Sequence, residues 1–91
     1  MNFKTFDVAD YLKTKAAQAA YLDAAMEEGI EVFYSALGDV ARAQGMSKLA
    51  AKTGLARENL YKSLSSGGNP EFATVKKVVD GLGLHLKFTP A

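Results

Sequence analysis

"MSKLAAKTGLARENLYKSL", residues 46–64, contains two short runs of helix-forming residues on either side of Gly54. A helix-turn-helix needs small residues where its two helices cross, a glycine at the turn and an apolar residue after it. Ala50 and Ala51 supply the small residues, and Leu55 follows the glycine. The stretch therefore predicts a helix-turn-helix.

The residue pattern of the second helix in this pair predicts a surface that reads DNA bases. Leu60 and Leu64 lie one turn apart, so both would anchor the helix to a core. Long polar side chains then point away from that anchor, and they are Arg57, Glu58, Asn59 and Lys62. Arg and Lys pair with guanine, Asn with adenine, and Glu accepts from the cytosine amino group. Recognition helices read bases with their N-terminal residues, which favours this role.

Residues beside the second helix are candidates for contacts with DNA phosphates, which position a protein without reading sequence. The N-terminus of the first helix offers free N–H groups at Ser47 and Lys48. The loop after the pair adds Ser65, Ser66 and Asn69. Each has a structural alternative, since Ser47 can cap its helix and the loop residues can form the turn.

The whole chain predicts an all-α fold of five to six short helices with a short C-terminal strand. Helices are expected at "VADYL" after Asp7, at "KAAQAAYLDAAMEE" between Thr14 and Gly29, over 30–44, at "KLAAKT" after Ser47, over 56–64, and from Pro70 to Gly83. The tail "LHLKF", residues 84–88, alternates apolar and polar residues as a strand does. Such a strand would pair with the N-terminal "NFKTF", with a second copy of the chain or with another protein.

Apolar stripes predict which helix faces are buried. The expected core residues are Phe33, Ala36, Leu37, Val40 and Ala41 in the third helix and Phe72, Val75, Val78, Val79 and Leu82 in the last. Gly38 would weaken the third helix by about 1 kcal/mol, unless a neighbouring backbone packs against it. We expect a single domain with an N-terminal extension over 1–29, a helix-turn-helix core over 30–83 and the strand over 84–88.

Composition argues against several classes of function. The 91 residues include no cysteine and only one histidine, His85. The chain therefore lacks the residues that disulfides need and nearly all of those that zinc sites and histidine-based catalysis need. We expect no cofactor, no metal and no enzymatic activity. No apolar run approaches the roughly 18 residues of a membrane span, and the N-terminus lacks the pattern of a signal peptide. A cytoplasmic protein without membrane partners is expected.

Charge is distributed unevenly along the chain. Residues 1–40 carry three lysines against seven carboxylates, whereas residues 41–91 carry eight basic residues against three acidic ones. This asymmetry indicates a part that binds a polyanion joined to a part with another role.

Residues 36–86, "ALGDVARAQGMSKLAAKTGLARENLYKSLSSGGNPEFATVKKVVDGLGLHL", resemble bacterial addiction-module antidote proteins, the HigA-type antitoxins with an Xre/Cro-like helix-turn-helix. "GLARENLYKSLS", "GNPEFATV" and "LGLHL" are the most specific parts of the match. The opening "KTFDVADYLKTKAAQAAYLDAAMEEG" is similar to the N-terminal extension of that family. The resemblance therefore covers nearly the whole chain.

The resemblance implies a lambda-repressor-like fold and an antitoxin made with a small RelE-like ribonuclease toxin. Such a protein binds its toxin and represses the operon that encodes both, often as a homodimer on operator DNA. The DNA-facing positions of the family fall on Ala56, Arg57, Glu58, Asn59 and Lys62. Ser63 and Leu64 depart from the wider Xre pattern, in which an apolar and an acidic residue are common at these places.

A surface for the toxin is predicted less directly. A RelE-like toxin acts on RNA and is basic, so an acidic surface would complement it. Acidic residues cluster around the end of the second helix, at Asp23, Glu27, Glu28 and Glu31. A solvated helix face is the alternative explanation.

Two other functions fit the same sequence. One is a stand-alone phage-type repressor without a toxin. The other is a protein-interaction module whose helix-turn-helix no longer binds DNA. Glu58 also has an explanation without DNA, because a carboxylate near a helix N-terminus is stabilised by the helix dipole.

Overall fold

The structure is a computed structural model that describes residues 8–65 and 67–91, and this part of the chain forms six α-helices. They are α1 (Val8–Tyr11), α2 (Lys15–Glu28), α3 (Ile30–Gln44), α4 (Met46–Thr53), α5 (Arg57–Ser63) and α6 (Phe72–Gly81). None of the described residues belongs to a strand. The all-α prediction is thus confirmed, and the predicted strand is not.

The bounds of α2 and α3 agree with the sequence prediction, and their ends have local causes. The Thr14 hydroxyl accepts a hydrogen bond from the Ala17 amide at 3.0 Å, which caps the start of α2. Glycines follow the last residues of both helices, at Gly29 and Gly45. The Asp7 cap that the sequence predicts for α1 lies outside the described residues.

Two predicted helix starts are each wrong by two residues. Ser47 does not cap α4, because the helix begins one residue earlier, at Met46, with Gly45 at the cap position. Pro70 does not lie in the first turn of α6, which begins at Phe72. Pro70 is buried instead, so it packs in the loop that leads to the helix.

Helix α3 is the centre of the molecule, because it contacts α1, α2, α4 and α5. Its apolar stripe is buried as predicted. The N-terminal helices share this core, since Leu12, Leu22 and Ala25 belong to the same cluster as the residues of α3. The described part of the segment predicted as an N-terminal extension, residues 8–29, therefore packs on the rest of the fold.

Gly38 lies where the end of α5 meets α3. A Cβ atom built on it would stand 2.2 Å from the Leu64 carbonyl oxygen, far closer than two such atoms can approach. The glycine therefore permits a backbone-to-backbone contact that fixes α5 against α3. The sequence interpretation expected a neighbouring backbone to pack against Gly38, and the backbone of Leu64 is that neighbour.

A partly buried network of side-chain amides joins the N-terminal helices to the end of α6. Gln18 is buried, and its side chain donates to the Leu12 carbonyl at 3.0 Å. Gln44 donates to the Gln18 side-chain oxygen at 2.8 Å and to the Leu82 carbonyl at 2.9 Å. Lys15 donates to the same Leu82 carbonyl, which is favourable near the C-terminus of a helix.

The segment predicted as a strand, residues 84–88, is an irregular tail. Leu84 and Leu86 are half-buried and pack against the core, while His85 and Lys87 are exposed. The alternation of the sequence is therefore real, but it reflects how the tail lies on the core. A strand also needs a second strand to pair with, and none is present in 8–65 or 67–91. The proposed partner "NFKTF" lies outside the described residues.

Helix α6 buries all but one of the apolar residues expected of it. Val75, Val78, Val79 and Leu82 are buried, whereas Phe72 is 65% exposed. Phe72 is the first residue of the helix, so the turn that would have covered its ring is absent.

Candidate functional site

The α4–α5 pair is held in one geometry by its turn. Gly54 adopts a left-handed conformation, with φ of 73°, and its amide donates to the Ala50 carbonyl at 2.9 Å. The Thr53 hydroxyl donates to the Leu49 carbonyl at 2.8 Å and accepts from the Leu55 amide at 3.3 Å. These bonds satisfy the end of α4 and direct the chain into α5.

Helix α5 buries one side and exposes the other. Leu60 is 1% exposed and Leu64, directly after the helix, is fully buried, as predicted. Leu55 is half-buried against the same core. The four candidate base-reading residues are all exposed, namely Arg57, Glu58, Asn59 and Lys62. The leucines therefore orient a short helix that presents these four side chains to solvent.

Arg57 lies over the ring of Tyr61, with 5.6 Å from the guanidinium carbon to the ring centroid. A cation over an aromatic face is attracted by the ring, by about 0.5–1 kcal/mol at an exposed site. This contact restricts the guanidinium before any ligand arrives. The sequence interpretation missed this contact between Tyr61 and Arg57, although their spacing of four residues was the available signal.

The candidate phosphate contacts are placed at different points around α4 and the loop after α5. Ser47 and Lys48 are exposed in the first turn of α4, where the first intrahelical bond is made by the Leu49 amide to the Gly45 carbonyl. The amides of both residues therefore precede the first hydrogen-bonded turn.

The loop residues have structural roles or lie open to solvent. The Ser65 hydroxyl donates to the Lys62 carbonyl at 3.0 Å, so this side chain already stabilises the turn. Asn69 is exposed. Ser66 lies outside the described residues.

A second candidate surface surrounds the junction of α2 and α3. Its acidic members are all exposed, and they are Asp23, Glu27, Glu28 and Glu31. Apolar side chains lie exposed among them, at Met26, Ile30 and Val32. Carboxylates around exposed apolar residues are typical of a surface that contacts another protein.

Beside this junction, Tyr21 joins α2 to α3 through a carboxylate. Its hydroxyl donates to Asp39 Oδ2 at 2.6 Å, and Arg42 donates to Asp39 Oδ1 at 2.8 Å. Burial, followed by the hydrogen bond and the charge of Asp39, raises the pKa of Tyr21 to about 12. Asp39 and Arg42 neutralise each other at this point of the surface. The sequence interpretation did not single out this group.

No helix within 8–65 or 67–91 is long and apolar enough to cross a membrane.

Comparison with known proteins adds a family to this geometry. A family profile described as "Probable addiction module antidote protein" matches residues 2–90. A Haemophilus influenzae protein, described only as an uncharacterized protein, is 48% identical over 85 residues, covering 92% of this chain and 88% of its own. No solved structure matches the chain. Because the profile spans nearly every residue, the α4–α5 pair and the acidic surface included, the chain belongs to the family of probable addiction module antidote proteins.

Proposed function

We propose that this antidote protein is a HigA-type antitoxin of a type II toxin–antitoxin module that also represses its own operon. Its α4–α5 pair acts as an Xre/Cro-like, lambda-repressor-like helix-turn-helix on operator DNA. The observation that carries the proposal is the geometry of α5, where two buried leucines leave Arg57, Glu58, Asn59 and Lys62 exposed. The chain acts by binding and not as an enzyme.

On DNA, the four exposed side chains of α5 divide by chemistry. Arg57 and Lys62 would donate to guanine edges, and Asn59 would make the paired contact with adenine. Glu58 would accept a hydrogen bond from the cytosine amino group. Where it meets another base, its carboxylate would repel the DNA phosphates. The position of Arg57 over the Tyr61 ring supports its assignment to guanine, because a restricted guanidinium loses less entropy when it binds.

Phosphate contacts would fix the helix over the groove. Ser47 and Lys48 would hold one phosphate at the start of α4, where the backbone amides precede the first hydrogen-bonded turn. Ser66 and Asn69 would hold others from the loop after α5, and Ser65 would join them by turning its hydroxyl from the Lys62 carbonyl towards the phosphate. Helix-turn-helix proteins commonly bind as dimers to two half-sites about one helical turn apart, so a homodimer is part of the proposal.

The toxin would bind on the acidic side of the molecule. A RelE-like ribonuclease is basic because it binds RNA, and the surface of Asp23, Glu27, Glu28 and Glu31 carries the opposite charge. The exposed apolar residues at the same junction would supply the contact area. An antitoxin needs such a partner surface, so family membership favours this reading over a stand-alone phage-type repressor.

Two measurements test the proposal. A gel shift at physiological salt should show that the protein binds the DNA upstream of its own gene more tightly than random DNA of equal length. Co-expression with the product of the neighbouring reading frame should yield a complex that co-purifies and that lacks ribonuclease activity. A protein that binds neither the upstream DNA nor the product of the neighbouring reading frame would refute the proposal. One that binds the DNA alone would favour the phage-type repressor.

A further inference from the structure

A groove runs between α2 and α3 on the acidic side of the molecule. The residues that line it come from one face of each helix, and they are Tyr21, Ala24, Ala25 and Glu28 of α2 with Val32, Ser35, Ala36 and Asp39 of α3. Its volume is about 180 Å³. Sites for small molecules usually span 300–1,000 Å³, so this groove has the size for one protein side chain and not for a metabolite.

The chemistry of the groove changes along its length. Tyr21 and Asp39 lie at one end, where the hydroxyl and the carboxylate bond to each other. Three alanines and Ser35 form the middle, and the other end, near the turn between the helices, has Glu28 and Val32. Seven residues separate the two ends on each helix, which is about 10 Å at 1.5 Å per residue.

Only one of the two carboxylates in the groove is available to a ligand. Asp39 already accepts hydrogen bonds from Tyr21 and from Arg42, whose charge balances it. Glu28 is exposed and has no hydrogen-bonding or salt-bridge partner among the described residues. The groove thus combines a channel lined mainly by alanines with one unpaired negative charge.

We propose that this groove binds one arginine or lysine side chain of the toxin, with the aliphatic stem along Ala24, Ala25 and Ala36 and the charged end at Glu28. Long basic side chains bury their stems on apolar surface and keep the charged end at a polar partner, which is the pattern of this groove. The inference rests on the proposed function, and it assigns the toxin's anchor to a single site within the acidic surface.

The surroundings fit the same occupant. Val32, which lines one end of the groove, is 41% exposed. A protein that inserts a basic side chain would cover it at the same time. Asp23, Glu27 and Glu31 lie outside the groove, where charges change the rate of association more than the affinity.

Neighbouring glutamates give a matched pair of variants for the test. Glu28→Gln removes the charge that faces the groove, and Glu27→Gln removes the same charge one residue away, outside the groove. Binding of each variant to the toxin from the neighbouring reading frame would be measured by calorimetry. We expect Glu28→Gln to weaken binding about tenfold and to reduce its salt dependence, and Glu27→Gln to weaken it less than threefold.

Filling the groove gives an independent test that leaves charge unchanged. Ala24→Leu narrows the channel, and Ala19→Leu adds the same side chain to an exposed position of α2 outside it. Both positions are exposed and both residues favour helices, so neither change should unfold the protein. Ala24→Leu should weaken toxin binding at least tenfold, and Ala19→Leu should leave it within twofold.

Equal effects within either pair of variants would overturn the assignment to the groove, while the proposed function would stand. A wild-type protein that fails to bind the toxin would overturn both. Operator binding by all four variants should match the wild type, since the groove lies outside the α4–α5 pair.

Discussion

Arg57 and Lys48 both carry exposed positive charges in the α4–α5 pair, and the proposal gives them different tasks. Arg57 begins α5 and is restricted by its contact with Tyr61, as a side chain that reads a base should be. Lys48 lies in the first turn of α4, where amides and a flexible ammonium group suit a phosphate. The difference can be measured because base contacts depend on sequence and phosphate contacts do not.

Arg57→Ala should weaken operator binding by about 1–3 kcal/mol and change random-DNA binding much less, because a base contact is lost. Lys48→Ala should weaken binding to both DNAs similarly and reduce the salt slope by about 1, because a phosphate contact is lost. Fluorescence anisotropy titrations at several salt concentrations would measure both. Equal losses on the two DNAs for Arg57→Ala would contradict base reading.

Tyr21 provides a prediction about pH. Its pKa is raised from 10.0 to about 12 by burial and by Asp39, so the unfolded chain loses this proton at lower pH than the folded one. The stabilisation is complete below pH 10 and is lost as the pH rises to about 12. Tyr21→Phe should cost about 1 kcal/mol at neutral pH, through loss of the bond to Asp39.

The test compares the free energies of unfolding of wild type and Tyr21→Phe from urea titrations at pH 7 to 12. Their difference should shrink above pH 10, because only the wild type loses this contribution. A difference that stays constant up to pH 12 would show that the bond between α2 and α3 does not stabilise the fold.

At the scale of the element, much of the architecture could be predicted because its causes are local. The bounds of α2 and α3, the turn at Gly54 and the buried leucines of α5 follow from caps, glycines and helical spacing. The tail could not be predicted in the same way. Its alternation fits a strand, but strand formation depends on a partner that lies elsewhere in the chain or outside it.

The features of the fold and of the site that were missed depend on which helices meet. Gln18 and Gln44 lie far apart in sequence, and only the packing of α2 against α3 brings them together. The groove with Glu28 likewise needs both helices, whereas sequence spacing on α2 alone shows a row of acidic residues. Exposure of the α5 side chains was predictable, because a single helix and two leucines determine it.

The contact between α3 and α5 can be tested at Gly38. Alanine in place of a glycine usually stabilises a helix interior by about 1 kcal/mol. Here the added methyl would collide with the Leu64 carbonyl, so Gly38→Ala should destabilise the protein by about 1–3 kcal/mol and weaken operator binding.

Gly67→Ala is the control for this change, since a Cβ there would meet no atom within 4 Å. Thermal unfolding followed by circular dichroism would compare the two variants. Greater stability of Gly38→Ala would contradict the close approach of α5 to α3.

At the scale of the whole molecule, charge separates the two proposed surfaces. The α4–α5 pair has more basic residues than acidic ones, whereas the junction of α2 and α3 is acidic. The basic residues of the pair are Lys48, Lys52, Arg57 and Lys62, and its one carboxylate is Glu58. Helix α3 contacts both α2 and the α4–α5 pair, so it connects the surfaces through one core. An antitoxin that represses its operon needs this arrangement, because it must hold a basic protein and a polyanion without either competing for the other's site.

The proposed function requires that DNA binds the exposed face of α5. The most direct measurement is an NMR titration of the isotope-labelled protein with an unlabelled duplex from the region upstream of its gene. We predict the largest amide shifts at residues 47, 48, 57–62 and 69, with α2 nearly unchanged. Shifts confined to the junction of α2 and α3, or no shifts at a duplex concentration above that of the protein, would contradict the claim.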